Sequence, residues 1–117
     1  MEIPIRLRGL ERRDILGFEV PVATTRISRL LGLALLARGR AGPGLLIPRC
    51  GCVHTFGMRF GLDLLFLDMD RRVIELRRAV PAGRVVRCPG ASSVVELPSP
   101  GGLMWAVYGG SSASSDV

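Results

Sequence analysis

The stretch "LDLLFLDMDRRVIELRRAV", Leu62 to Val80, decides the fold. Its first six residues are apolar on both faces of an extended chain except at Asp63, the pattern of a central strand covered from both sides. "DMDRR" (Asp68–Arg72) is a run of turn-forming and charged residues, and "VIELRRAV" (Val73–Val80) resumes the apolar pattern. Two strands joined by such a turn predict a β-hairpin. Working outward, "RVVRC" (Arg84–Cys88) and "SSVVELP" (Ser92–Pro98) read as two further short strands, with Pro89–Gly90 turning between them. On the other side, Leu45 to Pro48 reads as a short buried strand.

Nearer the N-terminus the period is again two. Ile3, Ile5 and Leu7 alternate with Pro4, Arg6 and Arg8, and Leu16, Phe18, Val20 and Val22 alternate with Ile15, Gly17, Glu19 and Pro21. Two strands are expected, with "GLERRD" (Gly9–Asp14) as their turn and Pro21 marking an edge. The period then changes: Ile27, Leu30, Leu31, Ala34 and Leu35 recur at helical spacing behind Thr24 and Thr25, either of which can cap a first turn. One helix over about residues 25–38 is expected, stopped by Gly39. "LMWAVY" (Leu103–Tyr108) reads as a last strand and "GGSSASSDV" (residues 109–117) as a disordered tail. The fold class expected is mainly β, a small sandwich or barrel-like domain of about eight short strands with one helix, occupying residues 1–108 as a single domain.

At 117 residues the chain can bury a core without staples. No apolar run approaches the ~20 residues that span a bilayer, and the start lacks the apolar block of a secretory signal, so a cytoplasmic protein without a membrane partner is expected. The net charge of +6 comes from arginine alone, since lysine is absent. Basic charge raises nucleic acid as a partner. The arginines are spread along the chain, however, and aromatic residues for base stacking make up only 5%. A solvated basic surface is the expected reading. Three cysteines are too few for a disulfide framework.

"PRCGCVHTFGMRF" (Pro48–Phe60) holds what chemistry the chain offers: Cys50, Cys52 and its one histidine, His54. In a regular strand these three share a face, but Cys50 and His54 would lie about 13 Å apart along it. Zinc–ligand distances near ~2.1–2.3 Å cannot bridge that gap, so neither metal nor cofactor is expected. Cys52 and His54 are close enough to form a nucleophile–base pair, although such a pair also needs an oxyanion hole and a group to orient the base. The plainer reading makes Cys50, Cys52 and Cys88 structural or redox cysteines and His54 a hydrogen-bonded rim residue. Asp63 is a carboxylate among residues that want burial, so it must be paired. Arg59, His54, Thr55 and backbone amides are its candidate partners, and a small polar site of His54, Thr55 and Asp63 is the functional version.

"VHTFGMRFGLDLLFLDMDRRVI" (Val53–Ile74) resembles the signature of a bacterial and archaeal family called domain of unknown function 192. "TTRISRLLGLALLAR", "GPGLLIPRC" and "RCPGASSVVELPSPG" are similar to its helix, the strand that follows and a later segment, so the resemblance covers roughly Val22 to Gly101. It implies a small β-sandwich with one helix, and it places the family's characteristic residues on His54, Thr55, Met58, Arg59, Asp63 and Asp68, with Glu96 in the later segment. It supplies no mechanism. Three departures stand out: Gly61 replaces the usual proline, Arg71 a turn glycine, and "LMWAVYGG" the usual C-terminal segment.

The reading favoured by these residues is a non-catalytic β domain that binds a partner protein or small-molecule ligand beside His54, Thr55, Met58, Arg59 and Asp63. The alternatives are a small enzyme using Cys52 and His54, and a weak nucleic-acid binder.

Overall fold

A computed structural model describes residues 7–15, 17–36 and 44–99. Eight strands are present among them: β1 (Arg12–Ile15), β2 (Phe18–Pro21), β3 (Leu45–Pro48), β4 (Cys52–His54), β5 (Leu62–Leu67), β6 (Val73–Val80), β7 (Val85–Arg87) and β8 (Ser93–Pro98). The mainly β class expected from the alternation is what the chain adopts.

The stretch Leu62–Val80 forms the β5–β6 hairpin. Together with β3 and β8 it makes a four-stranded sheet in the order β3-β8-β5-β6, with each adjacent pair antiparallel. Every residue of β5 and β8 is buried. Alternation divides them between two apolar clusters, as a period of two requires. Leu62, Leu64, Phe66 and Val94 face one cluster, and Leu65, Leu67, Val95 and Leu97 face the other. The first cluster is closed by Val53 and Val86 of the β4–β7 pair, by Met58 and by Leu33, Ala34 and Leu36. The second is closed by Ile15, Val20 and Val22 of the β1–β2 hairpin. The central sheet is thus covered on both faces, which is why its middle strands are apolar apart from Asp63, Ser93 and Glu96.

Two features differ from expectation. The helix α1 (Arg26–Leu31) is shorter than the 25–38 span that its apolar period predicts. Thr25 caps it, accepting the Ser28 amide at 3.0 Å, while the Ser28 hydroxyl accepts the Thr25 amide at 3.1 Å. Gly32 then turns to φ 53°, and the next amide, Leu33, leaves the helix to donate to the buried carboxylate of Glu96 at 3.2 Å. A Cβ at Gly32 would stand 2.6 Å from Glu96 Oε1, so any side chain there would have to displace that carboxylate. Tertiary contact overrides the helical period here.

The second difference is in the first hairpin. "ERRDI" contains strand β1, where a turn was expected, and it pairs Arg12 with Pro21 and Ile15 with Phe18. The two strands reverse through Gly17, which has φ 89° and donates its amide to Asp14 Oδ1 at 2.8 Å. Residues 1–6 of the expected first strand, the end of the expected helix (37–38), the strand at Leu103–Tyr108 and the tail at 109–117 lie outside the described residues; Leu7 is buried in the first cluster.

The Asp68–Arg72 turn forms as expected. Asp68 Oδ1 accepts the amides of Asp70 and Arg72 at 2.8 and 2.9 Å. Arg71 adopts φ 64°, keeping the left-handed backbone natural to glycine despite its side chain.

Candidate functional site

β4 begins at Cys52, so Cys50 stands before the strand and does not share its regular face. Antiparallel pairing opposes Cys52 to Arg87, Val53 to Val86 and His54 to Val85. Val53 and Val86 point into the first cluster, leaving His54 and Val85 on the outer surface. The His54 ring stacks on exposed Phe56, with centroids 5.5 Å apart and planes inclined by 22°, and His54 Nδ1 accepts the Phe56 amide at 3.1 Å.

Thr55, at the end of β4, is completely buried. Its hydroxyl donates to the carbonyl of Pro81 at 2.7 Å and accepts the amide of Arg84 at 2.8 Å. Its own amide donates to the Arg84 carbonyl at 2.8 Å, and its carbonyl accepts the Gly83 amide at 3.1 Å. One threonine therefore holds both ends of the turn joining β6 to β7.

Asp63 is 1% exposed. Its partner is neither Arg59 nor Thr55 nor His54 but the amide of Ala79, which donates to Oδ1 at 2.8 Å; Oδ2 is buried without a hydrogen-bond partner. The pairing explains this choice. Leu62 opposes Val80 and Leu64 opposes Arg77, so one residue of β5 faces two of β6, Arg78 and Ala79. This is a β-bulge, which leaves a backbone group without a ladder partner. Asp63 supplies the missing acceptor, and Ala79 takes φ 52° there. Among the described residues the polar groups of Thr55 and Asp63 do not meet around a shared pocket. They converge on one piece of backbone, residues 79–84, from its two ends.

The other expected residues are placed apart. Met58 is buried in the first cluster and Arg59 is exposed. All three cysteines are free thiols: Cys52 exposed, Cys50 half-buried with its Sγ donating to the Cys52 carbonyl at 3.2 Å, and Cys88 buried. Burial, with a smaller contribution from neighbouring Glu75, pushes the Cys88 thiol above its ordinary pKa. Glu75 is held below the usual carboxylate range mainly by its hydrogen bond from Arg77. Among the described residues no three His, Cys, Asp or Glu side chains gather closely enough to hold a metal ion.

The segment held by Thr55 and Asp63 forms the wall of a groove of about 670 Å³, lined by Arg77, Arg78, Ala79, Val80, Pro81, Arg84, Val85 and Val86. None of these residues stood among the sequence candidates. Arg77–Arg78 reads as a solvated pair in sequence, and no local pattern reveals that a turn seven residues later will bring Arg84 beside it.

Comparison with known proteins agrees with the fold. The family model DUF192, described as "Uncharacterized ACR", matches residues 9–105. A UPF0127 protein of Thermococcus sibiricus is 31% identical over 83 residues; the match takes in 68% of this chain and 54% of the relative, so the chain spans about half the length of that curated relative. A crystal structure of a protein of unknown function from Novosphingobium aromaticivorans superposes with a TM-score of 0.56 at 15% identity, covering 92% of this chain and 91% of the other. The chain belongs to the DUF192 family.

Proposed function

We propose that this DUF192 domain is a non-catalytic binding module whose ligand sits in the groove between β6 and β7. The motif residues Thr55 and Asp63 serve as the scaffold of that groove. The observation carrying this reading is the direction of their hydrogen bonds. Two buried side chains, spaced along the "VHTFGMRFGLD" segment, are both spent on the backbone of residues 79–84. A backbone fixed in this way loses little entropy when a ligand orders against it, which favours binding. The groove volume of about 670 Å³ falls within the ~300–1,000 Å³ usual for ligand sites.

An amide-resolved NMR screen with a library of small polar compounds and short peptides tests the reading. Shifts are expected to cluster at Arg77–Val80 and Arg84–Val86. Hits confined to the surface around Cys52 and His54, with a Cys52 alkylation rate that falls in His54→Ala, would favour the enzyme alternative instead.

A further inference from the structure

We infer that the occupant of the β6–β7 groove is an acidic segment of a partner protein, its carboxylates on Arg77, Arg78 and Arg84 and a large apolar side chain on the strip beside them. This rests on the binding reading above and adds the chemistry of the partner.

Charge is the first argument. Every ionisable residue lining the groove is an arginine. A guanidinium presents a planar fork of donors matched to a carboxylate, and such charge-assisted pairs are about twice as strong as neutral hydrogen bonds. Arg77 already pairs with Glu75 at the exposed rim, so an incoming carboxylate would share or displace that partner.

The second argument is the surface next to the groove. Val85, in the groove wall, is 61% exposed, and Phe56 is 54% exposed. Val85 lies opposite His54 in the ladder, and His54 stacks on Phe56. Two exposed apolar side chains, Val85 and Phe56, therefore flank the His54 ring beside the groove. A basic groove opening onto an apolar strip fits a chain that alternates acidic and apolar side chains. A bare inorganic anion would leave the strip unused.

The third argument is main-chain geometry. The carbonyl of Arg84 accepts from Thr55 and the amide of Cys88 donates to Gly51, so these residues turn their backbone toward β4. In an antiparallel ladder the alternate residues point the other way, which directs the N–H and C=O of Val85 and Arg87 to the edge of β7 that pairs with no other strand among the described residues. An open edge of this kind pairs with extended peptide.

The test is fluorescence anisotropy with a labelled octapeptide of glutamates interrupted by one leucine and one phenylalanine. The glutamine version of the peptide, free glutarate and oligouridylate serve as competitors. Saturable binding is expected to weaken as salt rises from roughly 50 to 500 mM. Arg84→Ala should weaken it about tenfold, Arg84→Lys less, and Phe56→Ala a few-fold; both substituted residues are exposed, and unchanged melting temperatures will show that the variants fold. The inference is overturned if the glutamine peptide competes equally well or if the triple variant R77A/R78A/R84A keeps the affinity. It is likewise overturned if glutarate matches the peptide, if oligouridylate is preferred, or if the acidic peptide does not bind at all. The binding reading fails separately, when no compound of any charge shifts the amides of Arg77–Val86 in the NMR screen.

Discussion

Replacing Thr55 by valine removes one hydroxyl while keeping the shape of the side chain, and the consequence can be worked out from its partners. The hydroxyl donates to Pro81 O and accepts from Arg84 N, at 2.7 and 2.8 Å. Each bond contributes about 1 kcal/mol net, and a partner left buried without a replacement costs up to ~3 kcal/mol. Pro81 and Arg84 lie in an exposed turn, so water can reach part of what is released. The loss should therefore be close to the net value, about 2 kcal/mol for the two bonds together. In a domain of this size that lowers the melting temperature by about 8 °C. Urea unfolding followed by circular dichroism measures it directly, with the slope against denaturant expected to stay unchanged. Thr55→Ser keeps the hydroxyl and should stay within about 1 kcal/mol of the parent, the cost of one buried methyl. A valine variant less than about 0.5 kcal/mol below the parent, the ordinary scatter of a neutral surface change, would refute the reasoning.

Asp63→Ala should lose about 2 kcal/mol by orphaning the Ala79 amide, whereas Asp63→Asn, which keeps an acceptor there, should lose less than half of that; equal losses in the two unfolding curves would contradict the assigned hydrogen bond. Arg71→Gly should raise stability by about 1 kcal/mol, because a left-handed backbone at φ 64° strains any residue with a Cβ, and calorimetry reads the gain. Iodoacetamide at pH 8 should alkylate exposed Cys52 first and buried Cys88 last, since burial keeps that thiol protonated; peptide mass mapping over time gives the order.

How far the sequence carries depends on whether a feature is local. The β5–β6 hairpin was legible because its signals are contiguous: an apolar run too short for a helix, a turn, and a return strand. β1 was hidden because Arg12, Arg13 and Asp14 look like a turn, and only Ile15 of that strand is buried. Its strand character comes from pairing across Gly17. The helix was overextended because Ala34 and Leu35 keep the period, while the residue that ends it, Glu96, lies 63 positions away from Leu33. At the site, sequence reasoning marked Asp63 as a buried carboxylate requiring a partner and named Thr55 among the candidates; both are buried, but they do not pair with each other. Their partners are backbone atoms of Ala79, Pro81 and Arg84, and no side-chain pattern marks an amide or a carbonyl as a destination. The groove arginines were missed for the same reason: their common site is produced by a bulge and a turn, each fixed by a distant side chain.

Native-state hydrogen exchange at the amides of Ala79 and Arg84 tests this account most directly. In the parent both should exchange far more slowly than the exposed turn around them. Asp63→Ala should release Ala79 while leaving Arg84 protected, and Thr55→Val should do the reverse. If both amides exchange freely in the parent protein, Thr55 and Asp63 do not hold this segment, and the groove they are said to build has no fixed wall.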